Sequence, residues 1–137
     1  MQKIFLSSFI IFISVFLNAA EMSLDISERI DISSDNIEIK DGKIDFKNNV
    51  IFQSNSYEIF GETAEYDRIK DLITVKGSPV RFNIISEDST FKGSSNTIII
   101  KEDEVSISGS VLIENDSSRM KGETVKFNIS SGQLQIN

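Results

Sequence analysis

The sequence of 137 residues has no cysteine, no histidine and no tryptophan, and only one proline. Without Cys or His there is no zinc finger, thiol nucleophile, serine–histidine triad, or haem or blue-copper ligand set. The missing cysteines also exclude a disulfide framework, so packing and hydrogen bonding must hold the fold. Basic residues are few: 14 Lys and Arg stand against 21 Asp and Glu, a net charge of −7. That balance offers no basic face and argues against a nucleic-acid partner. No glycine-rich nucleotide-binding loop occurs. What the chain has is 10 phenylalanines and 39% hydrophobic residues, enough for the core of one ordinary domain.

The first twenty residues read as an address. Lys3 supplies a positive charge, Ile4 to Leu17 form an apolar run broken only by serines, and Asn18-Ala19-Ala20 offers small residues before Glu21. This is the order of a cleaved secretory signal. An uncleaved membrane anchor is the alternative, but the run falls short of the ~20 residues that cross a bilayer. No cysteine follows it, which excludes a bacterial lipoprotein. Residues 1–20 are expected to be a signal peptide and 21–137 one domain. Cleavage removes Lys3 and no acid, so the net −7 of the chain becomes −8.

Beyond that point the period is two. Examples are Arg29-Ile30-Asp31-Ile32, Ile37-Glu38-Ile39, Ile44-Asp45-Phe46, Val80-Arg81-Phe82, Val105-Ser106-Ile107 and Val125-Lys126-Phe127. β-branched and aromatic residues alternating with polar ones predict half-buried strands, and no helical period appears. Asp41-Gly42, Asn48-Asn49, Gly77-Ser78-Pro79 and Ser131-Gly132 have the chemistry of tight turns. Residues 86–89 and 115–118 read as longer polar loops. Strand-like stretches are also expected at Ile26–Ile32 and Gln133–Asn137.

An internal repeat accompanies the alternation. The segments beginning at Ile44, Val75's neighbour Ile73, and Val105 resemble one another at spacings of 29 and 32. Each is followed by a glycine pattern at Gly61, Gly93 and Gly122, spaced 32 and 29. A two-strand unit cannot cover its own apolar face, but stacked units can. Apolar residues change parity across Gly61, from Tyr57 and Ile59 to Ala64 and Tyr66, and again between Met120 and Val125. A strict strand needs a bulge or bend for such a change, and glycine tolerates it. Repeated bends predict two facing sheets of bent antiparallel strands, a jellyroll; an ordinary sandwich with irregular edges is the alternative. The ends of the sheets lack capping segments, and unpaired edges invite a further strand.

The expected inward set is Ile30, Ile32, Ile37, Ile39, Ile44, Phe46, Phe52, Tyr66, Phe82, Ile98, Ile100, Ile113 and Phe127. Periodicity leaves open whether these fill a packed core or line a lipid-filled groove. The acidic groups Glu62 with Glu65, Glu102-Asp103-Glu104, and Glu114 with Asp116 lack the pattern of a glycosidase pair or a calcium loop and read as solvated surface. No enzyme, metal or cofactor is expected.

The succession Ile30 to Asn36, Phe46 to Val50, Val75 to Val80, Ile107 to Val111 and Met120 to Phe127 resembles the OstA/LptA family over about residues 26–136. The resemblance implies an all-β, open antiparallel β-jellyroll in the periplasm of a Gram-negative bacterium. It implies a bridge carrying lipopolysaccharide from the inner-membrane exporter to the outer-membrane translocon. Partners would be lipopolysaccharide, LptC-like and LptD-like proteins, and further copies joined head to tail. Lipid-facing positions carried over by motif are Ile30, Ile32, Phe82, Ile98 and Ile100; the alternation extends them to Ile37, Ile39, Phe46, Phe52, Tyr66, Ile113 and Phe127. Asn48 stands where the later units have glycine. Two other functions fit the residues. One is an LptC-like component anchored by residues 4–17, and the other is an exported structural β-repeat protein with a packed interior.

Overall fold

The structure, a computed structural model, describes residues 20–25, 28–85 and 89–137. The signal peptide, apart from Ala20, lies outside the described residues, as do Ile26 and most of the loop at 86–89. Ten strands occur among the described residues: β1 Ala20–Asp25, β2 Arg29–Ser34, β3 Asn36–Lys40, β4 Lys43–Gln53, β5 Tyr57–Asp67, β6 Leu72–Ile85, β7 Thr90–Lys101, β8 Glu104–Glu114, β9 Arg119–Asn128 and β10 Leu134–Ile136. No helix is present among them.

All pairings are antiparallel, and the strands form one sheet in the order β1-β2-β4-β5-β6-β7-β8-β9-β10, with β3 also on β4. The two facing sheets expected from sequence are thus the two halves of a single bent sheet. Register shifts fall between Lys47 and Val50, Phe60 and Thr63, Lys76 and Val80, Ser94 and Thr97, and Ser108 and Val111. Neighbouring strands break register side by side, so the bends line up across the sheet. One layer holds β1, β2 and the halves carrying Val50–Gln53, Tyr57–Phe60, Val80–Ile85, Thr90–Ser94, Val111–Glu114 and Arg119–Gly122. The other holds β3, β10 and the remaining halves.

The bends explain two departures from the sequence expectation. Asn48-Asn49 and Gly77-Ser78-Pro79 are not hairpin turns; they lie inside the long strands β4 and β6. Asn48 and Asn49 take φ of 67° and 55°, and Gly109 and Ser110 at the matching place in β8 take 83° and 50°. A left-handed pair inserts two residues without changing parity, so Ile44 and Phe46 point inward before it and Val50 and Phe52 after it. Asparagine tolerates this conformation better than most side chains, which is why it can stand where a later unit has glycine. Asp41-Gly42 and Ser131-Gly132 do form turns.

Gly61 and Gly122 lie at the bends of β5 and β9, as the parity change requires. Gly93 does not. The bend of β7 comes after it, at Ser95-Asn96, and Gly93 serves a close approach of backbones instead.

Two serines are the buried polar residues near the bends. The Ser34 hydroxyl donates to the Asn36 carbonyl at 2.7 Å and the Ser95 hydroxyl to the Thr97 carbonyl at 3.4 Å. Each spans a bend by reaching two residues on. Ser34→Ala is expected to cost about 1 kcal/mol, because it removes the hydrogen bond of a buried hydroxyl; Ser95→Ala, with the longer contact, should cost less. Urea unfolding measures both, and unchanged midpoints would show that the bends hold without these hydroxyls.

Candidate functional site

The inward sides of the two layers meet in one apolar cluster. It includes Ile30 and Ile32 from β2, Phe46 and Phe52 from β4, Tyr57 and Ile59 from β5, Ile73, Val75, Phe82 and Ile84 from β6, Ile98 and Ile100 from β7, Ile107 and Ile113 from β8, and Val125 and Phe127 from β9. The cluster therefore runs through the fold from β2 to β9. Phe46 and Phe52, on opposite sides of the bend in β4, meet edge to face at 6.2 Å between ring centres. Alternation places these residues inside because a period of two gives each strand half one apolar side.

Of the twelve residues expected to face lipid, Ile30, Ile32, Phe46, Phe52, Phe82, Ile98, Ile100, Ile113 and Phe127 are buried in this cluster. Ile37 and Tyr66 are partly buried against it. Tyr66 lies towards the outer rim of its layer, where its hydroxyl donates to the Asp71 carboxylate at 2.8 Å. Burial raises the Tyr66 phenol pKa, and the hydrogen bond and charge of Asp71 add to the rise. Ile39 departs from the expectation. It pairs with Ile44 on β4, but β3 is an edge strand and nothing covers its side chain, which is 65% exposed. Replacing Ile39 by serine should therefore leave stability within about 0.5 kcal/mol of wild type in a thermal melt.

The inward set is also larger than expected. Val50, Tyr57, Ile59, Ile73, Val75, Val80, Ile84, Val105, Ile107, Val111 and Val125 share the interior. The repeat segments contained most of them in plain alternation. Val50 and Val80 follow bends, and their direction depends on how many residues each bend inserts.

The interior is closed in this structure: its side chains shield one another, and the cluster lining is at most a few per cent exposed. The layers are continuous only at the bends. Along the opposite margin, several loop hydrogen bonds between described residues join groups of the same layer. Ser56 pairs with Glu28 and Ile85 on one side; Arg68 with Gly42, and Ile129 with Asp103, on the other. Between the layers, the described interior is closed by apolar packing.

Charge is kept outside. Asp31, on the outer face, has its carboxyl held below the usual range by hydrogen bonds from Ser23 and Arg29. Other surface ion pairs join Lys43 to Glu65, Lys47 to Glu38 and Arg119 to Glu114, and such exposed pairs add little stability. Among the described residues no group of acids could hold a metal ion. Among the described residues Tyr57 is the exception to an otherwise satisfied interior: its hydroxyl is fully buried and no partner meets it in hydrogen-bonding geometry, with Ser54 its polar neighbour.

The edges are the second feature. Among the described residues, β1 and β3 are unpaired on their outer sides at one end of the sheet, and β10 and the first half of β9 at the other. A hollow of about 750 Å³ lies at that second end, lined by Val111, Leu112, Arg119, Lys121, Gly122 and Asn137 among others.

No protein-family model and no curated protein matches the sequence. Among solved structures, the chain is similar to LptH of Pseudomonas aeruginosa, described as the LptA-homologous periplasmic component of the conserved lipopolysaccharide transport device. The TM-score is 0.70 at 16% identity, covering 82% of this chain and 85% of that one. The bent, open antiparallel sheet is an LptA-like β-jellyroll.

Proposed function

We propose that this protein is a periplasmic carrier of lipopolysaccharide, a bridge component that takes the glycolipid from an inner-membrane export complex towards an outer-membrane translocon. The observation that carries the reading is an uninterrupted apolar interior, free of charged side chains, running between two unpaired sheet ends. The shared fold with LptH supports it.

The physics favours such a conduit. Each methylene buried is worth ~0.8 kcal/mol, so an acyl chain of about 14 carbons exposed to water costs on the order of 10 kcal/mol. A series of apolar sites of similar free energy removes that barrier. Because the interior is closed on itself, loading requires the two layers to part. Parting breaks side-chain packing and leaves the ladder hydrogen bonds intact, and the incoming chain replaces apolar contacts with apolar contacts. The margin opposite the bends is where the layers can separate. The acidic surface repels anionic phosphates, so the head group stays at the solvent edge while chain burial sets affinity.

The edges fit end-to-end assembly into a longer conduit. The free edge of β9 offers Arg119 and Lys121, whereas β1 offers Glu21, and antiparallel or parallel addition would continue the sheet from one copy to the next. The same edges suit LptC-like and LptD-like neighbours.

Depletion in a Gram-negative host tests the reading. Newly made lipopolysaccharide is expected to stop reaching the cell surface, and lipopolysaccharide to co-purify with the protein. Normal surface lipopolysaccharide and a lipid-free protein would instead identify a structural β-repeat protein. The mass of the mature chain separates the carrier from an anchored LptC-like component: loss of about twenty N-terminal residues is expected, and their retention would favour the anchored form.

A further inference from the structure

We infer that Tyr57 is a polar foothold within the interior, whose hydroxyl donates a hydrogen bond to the carbonyl oxygen at the root of a bound acyl chain. The inference rests on the lipid-carrying reading above and assigns it a chemical preference: ester- or amide-linked acyl lipids over ether-linked alkyl lipids.

Four observations converge on this residue. Tyr57 is 0% exposed, and its hydroxyl oxygen meets no partner in hydrogen-bonding geometry. A buried donor left unmade costs more than a made one returns, so phenylalanine would serve the packing better unless something uses the hydroxyl. The buried serines, by contrast, are both hydrogen-bonded.

Position is the second observation. Tyr57 is the first residue of β5, pairs with Ile84, and lies at the margin where the layers can part. A chain entering there with its head group in solvent leaves its root at the margin and its methyl end deeper. The root carries the carbonyl, and the rest of the chain has no acceptor.

The third is charge. Glu28 lies close by, its carboxylate accepting from the Ser56 amide at 3.0 Å and the Ser56 hydroxyl at 2.7 Å. Burial raises the Tyr57 phenol pKa, Glu28 adds to the rise, and Ser54 opposes it. The hydroxyl therefore stays protonated and can only donate or accept as a neutral group. The same carboxylate disfavours an anionic acceptor, which selects a neutral carbonyl over the carboxylate of a free fatty acid.

The fourth concerns Ser54, whose side chain neighbours the phenol. The Ser54 oxygen already receives the Tyr57 and Ser56 amides, at 3.2 Å each, which fills its acceptor capacity and leaves the phenol proton for a ligand.

Equilibrium dialysis with the purified mature protein tests this, using an ester-linked lysophospholipid and its ether-linked counterpart below their micelle concentrations. Wild type should bind the ester about 5- to 10-fold more tightly, the ratio expected for one neutral hydrogen bond. Tyr57→Phe should bring the ester down to the ether's affinity, leave the ether unchanged, and melt no lower than wild type. Equal loss of both lipids, unchanged ester binding, or a lower melting temperature would overturn the role assigned to Tyr57. Failure of wild type to bind either lipid would instead overturn the carrier reading, and this inference with it.

Discussion

Replacing Gly93 by alanine is expected to remove much of the stability of the fold. An added Cβ would lie 1.9 Å from the carbonyl oxygen of Leu112 and 2.8 Å from Cζ of Phe82. The oxygen belongs to β8, and β7 is hydrogen-bonded to β6 on one side and β8 on the other. Neither neighbour can move away without breaking register, and the Phe82 ring is itself buried. Relief therefore needs strand separation or collapse of the core contact. A cost of about 4 kcal/mol or more follows, against a total stability of roughly 5–15 kcal/mol for a domain. Circular dichroism with urea titration measures it. Gly132→Ala is the contrast: nothing lies within 4 Å, and only the φ of +72° opposes it, so it should cost about 1 kcal/mol. Equal effects at the two glycines would show that the close approach of β7 and β8 is absent in solution.

The second large effect concerns cargo. A photo-reactive residue at Phe82 or Ile100 is expected to capture lipopolysaccharide in cells, whereas one at Lys126 is not. Phe82 and Ile100 lie within the apolar cluster, from different layers of the bent sheet. Lys126 lies between Val125 and Phe127, which both face inward, so its side chain points into solvent. The contrast should approach all or none, because a tail between the layers touches only the inner side. Capture at all three sites would place the lipid on the surface. Capture at none, with lipid still co-purifying, would place it along an edge strand.

These predictions depend on residues that differ in how far sequence alone reveals them. Val80-Arg81-Phe82 and Val125-Lys126-Phe127 were legible because alternation fixes one side of a strand, whereas Ile98-Ile99-Ile100 is an unbroken apolar run whose inward side came from the resemblance by motif. Asp41-Gly42 was legible as a turn because both positions tolerate positive φ, and both adopt it here, at 48° and 78°. Asn48-Asn49 carries the same local chemistry yet lies in mid-strand. Turn propensity reports a tolerated backbone angle, and the same angle can close a hairpin or insert a bend. Which occurs depends on whether neighbouring strands break register at the same level. Ile39 shows a second limit, since alternation gives the side of a strand but not whether another layer covers it. Gly93 shows a third: its place in the repeat suggests a bend, whereas the contact with Leu112 that requires it is visible only when strands are side by side.

Composition and periodicity by themselves determined an acidic all-β chain of bent repeats with one greasy side, because side-chain alternation and glycine placement are local properties of a strand. The tertiary structure alone decided that one continuous sheet forms both layers, that the interior is closed by apolar packing between them, and that a lone phenol is shut inside without a partner in hydrogen-bonding geometry. Those outcomes arise from contacts between residues far apart in the chain, and no local pattern encodes which distant side chains will meet.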